Sequence, residues 1–322
     1  MARRRTSRSK IQPAVMTMTF ASSESGPSTE FIDLSQVASL MNRRFYRQGI
    51  NWAVAGFKFT SLKGGTVNVS KLPNTWVMSN AWEKGFRHWH KQQREAVEAS
   101  SDGVMAKFND FKVFADADHK SSGIANNLLP LSIDVGGVGG VATPGEWEAS
   151  QIVIPNFGVA GNNIEPYVVA VGAADLAVDP TKFSLIEAYA NSRSVPQSPY
   201  PAVPAGVTTG EENIYRQMFD VGMDDSDVME NAVGKNDNLP YPQTHYPGGD
   251  TQLPGLEWHD FTQIYNTSAT TNVGIATVKG GNFPCGLIRI DWTPDESANL
   301  IIQIDLIPGN HRGYLCEPMT EM

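Results

Sequence analysis

The 322-residue chain has two cysteines, Cys285 and Cys316, so one disulfide is the most it can form. That excludes a secreted disulfide framework; neither cysteine sits in a C-x-x-C pair, and buried free thiols are the expected state. No run approaches 18 uncharged apolar residues, which excludes a membrane-spanning helix. Short catalytic signatures are missing as well: there is no G-x-S-x-G and no H-E-x-x-H. The run from Gly136 to Gly140 lacks the Gly-Lys-Ser/Thr ending of a phosphate-binding loop and reads as an inter-strand loop. His88 and His90 are two residues apart, which on a helix points them to different sides and rules out shared chelation. Asp224, Asp225, Asp227 and Glu230 lack the glycine and spacing of a calcium loop and read as solvated surface. No enzyme activity, metal or cofactor is therefore expected.

The formal net charge of −9 conceals a polarity. Residues 1–120 carry 18 basic and 10 acidic side chains, whereas residues 121–322 carry 7 and 24. Arg3, Arg4, Arg5, Arg8 and Lys10 precede the first acid, Glu24. A terminal block of one sign marks an interaction tail or a targeting signal. As a tail it neutralises phosphates without reading sequence. As a targeting segment it fits an organelle transit peptide, being Arg-rich, Ser-rich and acid-poor. A secretory signal is disfavoured, because Gln12, Pro13 and Thr17 interrupt the apolar stretch. The run RRRTSRSK also suits a nuclear localisation signal.

After a Ser/Gly/Pro linker (22–28), Phe31, Leu34, Val37, Leu40 and Met41 recur at helical spacing. This helix is expected to end in Arg43, Arg44 and Arg47, with Phe45 and Tyr46 between them. Cations there suit the helix dipole; cations interleaved with aromatics equally suit single-stranded nucleic acid. Residues 52–60 and 66–70 read as a β-hairpin across Lys63-Gly64-Gly65. Asn80 and Glu83 resemble a capping box opening a helix to about Ala99, with a Trp82/Phe86/Trp89 face and a basic stripe of Lys84, Arg87, Lys91 and Arg94. Strand-like runs follow at 110–116, 129–134, 147–155 and 166–173, with a helix from Asp179 through Arg193 and a short one over 211–222. Pro-rich loops span 195–206 and 236–255, and further strands lie at 256–264, 272–278, 286–292 and 299–307. Strands do not alternate regularly with helices. The expected fold is all-β, a single antiparallel jelly-roll sandwich with long loops and a few inserted helices, preceded by a basic arm and linker over 1–28 and occupying 29–322.

Several segments carry a family resemblance: TWVMSNAWEKGFRHWHKQQREA (75–96), KFNDFKVFADADH (107–119), YPGGD (246–250), FPCGLIRID (283–291) and HRGYLCEPM (311–319). Together with the basic arm, the chain resembles capsid proteins of circular, Rep-encoding single-stranded DNA viruses. The resemblance implies an icosahedral shell, of about 60 copies of this chain, around single-stranded DNA. It implies a virion protein that passes through the host nucleus, with an unnamed surface receptor and no membrane partner. Only the Arg-rich arm carries over as a functional element, onto Arg3, Arg4, Arg5, Arg8 and Lys10; Arg43, Arg44 and Arg47 are candidate additions. The arm is shorter and less basic than that of circovirus capsids. DNA rather than RNA rests on the resemblance, because phosphate neutralisation serves both. The competing expectation is an organelle-targeted enzyme or β-sandwich binding module whose basic N-terminus is a transit peptide. A secreted carbohydrate-binding sandwich is a weaker reading, on sequons at Asn68 and Asn266.

Overall fold

Alternation of apolar and polar residues decides where the chain is extended. In Thr17–Ala21 (β1) Met18 and Phe20 are buried and the threonines face out. In Gly65–Lys71 (β4) Val67 and Val69 are buried and Thr66, Asn68 and Ser70 are partly exposed. In Leu300–Leu306 (β8) Leu300, Ile302, Ile304 and Leu306 are buried. A period of two puts one set of side chains on each face of a strand. The computed structural model describes residues 12–99, 110–133, 139–154, 163–172, 179–194, 255–265 and 273–321.

Among the described residues, eight strands form the main paths of two antiparallel sheets, one of five strands and one of four. The others are Ser28–Asp33 (β2), Ile50–Ser61 (β3), Glu257–Ile264 (β5), Gly274–Phe283 (β6) and Leu287–Pro294 (β7). One sheet has the order β1-β8-β3-β6, with a short strand Cys316–Pro318 also paired to β3; the other has β2-β7-β4-β5. Strand 1 thus pairs with 8, 2 with 7, 3 with 6 and 4 with 5. Between the layers lies a core that includes Phe20, Ile32, Trp52, Phe59, Val69, Ile290, Trp292 and Ile302. The expected all-β antiparallel class is what the strands form. Residues 17–21, read as arm and linker from the sequence, belong to the sandwich.

The expected hairpin is absent. β3 and β4 flank the Lys63-Gly64 turn, yet β3 pairs with β6 and β8 and β4 with β5 and β7. The turn residues mark where the chain reverses; the pairing goes to distant strands that let each inner face join the common core. Helix boundaries shift too. α1 is Leu34–Asn42, because Phe31 to Asp33 complete β2 and the Asp33 carboxylate caps the helix, accepting from the N–H groups of Ser35 (2.9 Å) and Gln36 (3.3 Å). α2 is Trp76–Ala99, so Asn80 and Glu83 lie inside it; the Met78 N–H instead donates to the Thr75 hydroxyl at 3.4 Å. Asp179 caps no helix. Its carboxylate accepts from Thr181 in a turn before the short strand Lys182–Ser184, and α4 begins after it, at Leu185–Ser194.

Much of the described part of the long excursion between β4 and β5 packs against the second sheet, while Leu128 reaches the main core. A second apolar cluster joins Val77, Ala81 and Trp89 of α2 and Leu185 of α4 to Phe111, Val113, Ile152 and Val168, and seats them on Phe31, Cys285 and Leu287. Ala117–Ser122 (α3) is clamped to β7 by Arg289, which pairs with Asp116 (2.8 Å), Asp118 (2.7 Å) and Asp291 (3.1 Å) over the Phe31 ring. Of the strand-like runs predicted between 110 and 173, two hold ladder strands among the described residues: Leu131–Ile133 pairs with Gly139–Val141, and Tyr167–Val169 with Lys182–Ser184, while Phe114, Gln151 and Ile154 make isolated bridges. The predicted loops 195–206 and 236–254, the helix 211–222 and the acidic patch 224–230 lie outside the described residues.

Candidate nucleic-acid interface

α1 ends at Arg43, which adopts φ 54° as the helix C-cap. The connection to β3 is then pinned by Tyr46. Its side chain is fully buried, its N–H donates to Ser39 Oγ (2.9 Å), and its hydroxyl donates to the Arg312 carbonyl (3.0 Å). With Tyr46 inside, Arg43 and Arg47 are exposed and Arg44 and Phe45 are half-buried. Tyr46 is therefore removed from the stacking surface that the sequence suggested.

Other segments add to this corner. Arg312 donates through Nη1 to the Phe45 carbonyl. Trp147 approaches Phe45 at 6.2 Å between ring centroids, Lys112 Nζ lies 4.7 Å from the Trp147 ring, and the Arg47 guanidinium lies 5.9 Å from the Phe45 ring. Arg47 and Lys112 thus lie against two aromatic rings, Arg312 bonds the backbone beside one of them, and Arg43 and Arg44 adjoin them in the chain. Arg44 spends its donors on the carbonyls of Pro13 (3.0 Å) and Arg312 (3.5 Å). Among the described residues, no ion pair takes up Arg43, Arg44, Lys112 or Arg312. Their charge is available to an external anion.

The α2 stripe behaves differently. Arg87 pairs with Glu83, Lys91 with Glu95 (3.7 Å) and Arg94 with Glu98 (3.5 Å), all along one exposed helix. Lys84 lies 4.8 Å from the Tyr189 ring. Such pairs add little stability, but they cancel the local field, so the stripe is a solvated mixed face. The histidines on this helix do not approach a ligand set: no group of three metal-binding side chains occurs among the described residues.

Beneath the cationic corner lies a buried polar network. Gln48 donates from Nε2 to Asp33 Oδ2 (3.1 Å) and the Val113 carbonyl (3.1 Å), and from its N–H to Asp110 Oδ2 (3.2 Å); its Oε1 accepts from the Val113 N–H (2.6 Å). Trp147 Nε1 donates to Asp33 Oδ2 at 2.9 Å. Burial pushes the Asp33 carboxyl up to about 6 against the pull of these donors. Asp110 is also raised to about 6 by burial, with the Gln48 N–H and the nearby Lys112 and Arg47 charges opposing. His119 Nδ1 accepts from the Ala115 N–H (3.0 Å), so its Nε2 carries the proton and donates to Asn127 Oδ1 (2.7 Å). Burial lowers that imidazole to about 4, and it stays neutral.

The arm residues Arg3, Arg4, Arg5, Arg8 and Lys10 lie outside the described residues. Their point of attachment does not. The Pro13 carbonyl sits on Arg44, and Gly313 packs against Gln12 and Ala14 so closely that a Cβ would lie 2.7 Å from the Gln12 carbonyl. The described chain therefore begins, at Gln12, beside Arg44 and Arg312. Lys112, Trp147 and Arg312 escaped sequence reading because they are 65 or more residues from Arg47 and belong to no charge block. No known family model matches this chain, and no curated protein or solved structure is detectably similar to it.

Proposed function

We propose that the chain is a viral capsid protein that self-assembles into an icosahedral shell and packages single-stranded DNA through its Arg-rich arm and the corner where that arm attaches. The carrying observation is the pairing of strands 1 with 8, 2 with 7, 3 with 6 and 4 with 5 in two sheets. Read as a single jelly roll, this is the architecture of many shell-forming coat proteins, though lectins and cupins use it too. What favours the shell is charge placement. Arg43, Arg44, Arg47, Lys112 and Arg312 gather where residues 12–14 leave the sandwich.

In this reading the arm and corner face the lumen and bind phosphates without reading sequence. With about 60 copies, five charges per arm supply roughly 300, a fraction of the few thousand phosphates of a small genome, and cations supply the rest. Electron microscopy of the purified protein with nuclease digestion of its cargo tests the proposal. Megadalton particles holding nuclease-protected single-stranded DNA are expected. A monomer or dimer whose N-terminus is trimmed ahead of β1 would support the organelle-targeted alternative instead. Protease treatment of intact particles tests the orientation: the segment 195–254 should be clipped before residues 1–23.

One observation favours a second reading, a β-sandwich binding module. Trp258, Phe261 and Tyr265, on and just after the edge strand β5, are 62%, 52% and 65% exposed, and Trp258 stacks on Phe261 at 5.6 Å. A solution monomer that binds glycans and loses them on Trp258→Ala would favour it over the shell.

A further inference from the structure

We propose that Trp147, with Phe45, is a base-stacking platform that makes this corner bind unpaired nucleotides in preference to duplex; the proposal rests on the corner being a nucleic-acid interface. Three separate stretches converge to build it: the α1–β3 connection brings Phe45 and Arg47, the chain after residue 110 brings Lys112, and the segment before Ser150 brings Trp147. Each has a structural use within its own segment; their meeting needs a reason.

The indole is held before any ligand arrives. Its Nε1–H donates to Asp33 Oδ2 at 2.9 Å, and the other Asp33 oxygen caps α1. Gln48 fixes the same carboxylate from below. Inward, Trp147 packs against the small cluster of Phe114, Ile124 and Val169; outward it keeps partial exposure. A ring held in place loses little freedom on binding, which is where preorganised sites gain affinity. Lys112 at 4.7 Å and the Arg47–Phe45 pair supply cations at stacking distance from both rings. A base that moves over the indole takes the place of the Lys112 ammonium, and the lysine turns to the adjoining phosphate. Bases in a duplex are stacked on one another and cannot reach either ring; a duplex meets only the cations. The combination of charge and ring therefore discriminates by strandedness, not by sequence.

The test uses the full chain and labelled probes of about 15 nucleotides: oligo-dT, oligo-rU and a duplex of the same length, at fixed salt. The wild type is expected to bind a single strand more tightly than duplex. Preference for either the deoxy or the ribo strand supports the proposal and identifies the source of the ligand. Trp147→Leu is expected to weaken single-strand binding about 5- to 100-fold while duplex affinity stays within about twofold. Trp147→Phe keeps a ring but loses the bond to Asp33, and should retain most of the single-strand affinity. If Phe is as poor as Leu, Trp147 acts only by holding Asp33, and the stacking role is overturned. Equal wild-type binding of single strand and duplex overturns the stacking while leaving the interface standing. Failure of every probe to bind the wild type overturns the interface itself.

Discussion

At the residue scale, the informative groups are those kept in states water would not favour. Asp33 and Asp110 are ordinary carboxyls in an unfolded chain and rise to about 6 when buried. A raised carboxyl binds its proton more tightly in the folded state, so its stabilising contribution is full below about 4 and is lost as pH rises through about 6. His119 and His88 are lowered to about 4, chiefly by burial. Their contribution is present above about 6.5 and lost as pH falls through about 4. The two pairs oppose one another between about pH 4 and 6, so these four groups should leave the unfolding free energy nearly level across that window and add no slope outside it, as denaturant titration would record. Asp110→Asn removes one side of this balance. It should stabilise at pH 8 by up to about 3 kcal/mol and lose that advantage near pH 4. It also deletes an anion beside Arg47 and Lys112, so the same variant should bind oligonucleotides more tightly at neutral pH. Gly286 has little freedom to change: φ is +67°, and a Cβ would lie 2.8 Å from the Trp52 indole. Gly286→Ala should cost at least about 1–2 kcal/mol in thermal unfolding.

At the element scale, two basic features of similar appearance in sequence part company. In the α2 stripe Arg87, Lys91 and Arg94 are each matched to a glutamate one turn away, and Lys84 lies over the Tyr189 ring. Among the described residues Arg43 and Arg44 have no such carboxylate partners, and Arg44 turns its donors to the carbonyls of Pro13 and Arg312. The consequence is measurable in salt titrations of single-strand binding. Arg43→Gln should reduce the slope of log K against log salt by about 0.7, the value of one phosphate contact, whereas Arg94→Gln should leave it unchanged. A reduced slope for Arg94→Gln as large as that of Arg43→Gln would return α2 to the interface. The same element-level logic explains the lost hairpin: β3 and β4 adjoin one good turn, but each has two long partners elsewhere.

At the scale of the whole molecule, the described fold begins at Gln12 and the charge that best suits nucleic acid precedes it. Deleting residues 1–11 should leave the unfolding temperature within a few degrees, since the two sheets and their core start at β1. Under the proposed function the shortened chain should still assemble, with little nucleic acid inside. Loss of assembly on this deletion would mean that the arm contributes to contacts between copies as well as to cargo.

Much of the architecture could be read from local pattern. Period-two alternation located β4 and β8 or their neighbourhoods but not β1, which was hidden in the basic arm and linker; helical spacing located α1 and α2, and the Arg-rich start and the Arg43–Arg47 cluster stood out as blocks of one sign. These are properties of neighbouring residues, and a strand or helix buries one face whatever its partner proves to be. Partner choice is another matter. Which strands pair, that Tyr46 points inward while Phe45 does not, that the α2 cations are already matched, and that Lys112, Trp147 and Arg312 complete the corner all depend on residues far apart in the chain. No periodicity encodes such meetings, because they follow from how two sheets and an outer layer share their cores; only the folded arrangement turns a basic segment into a site.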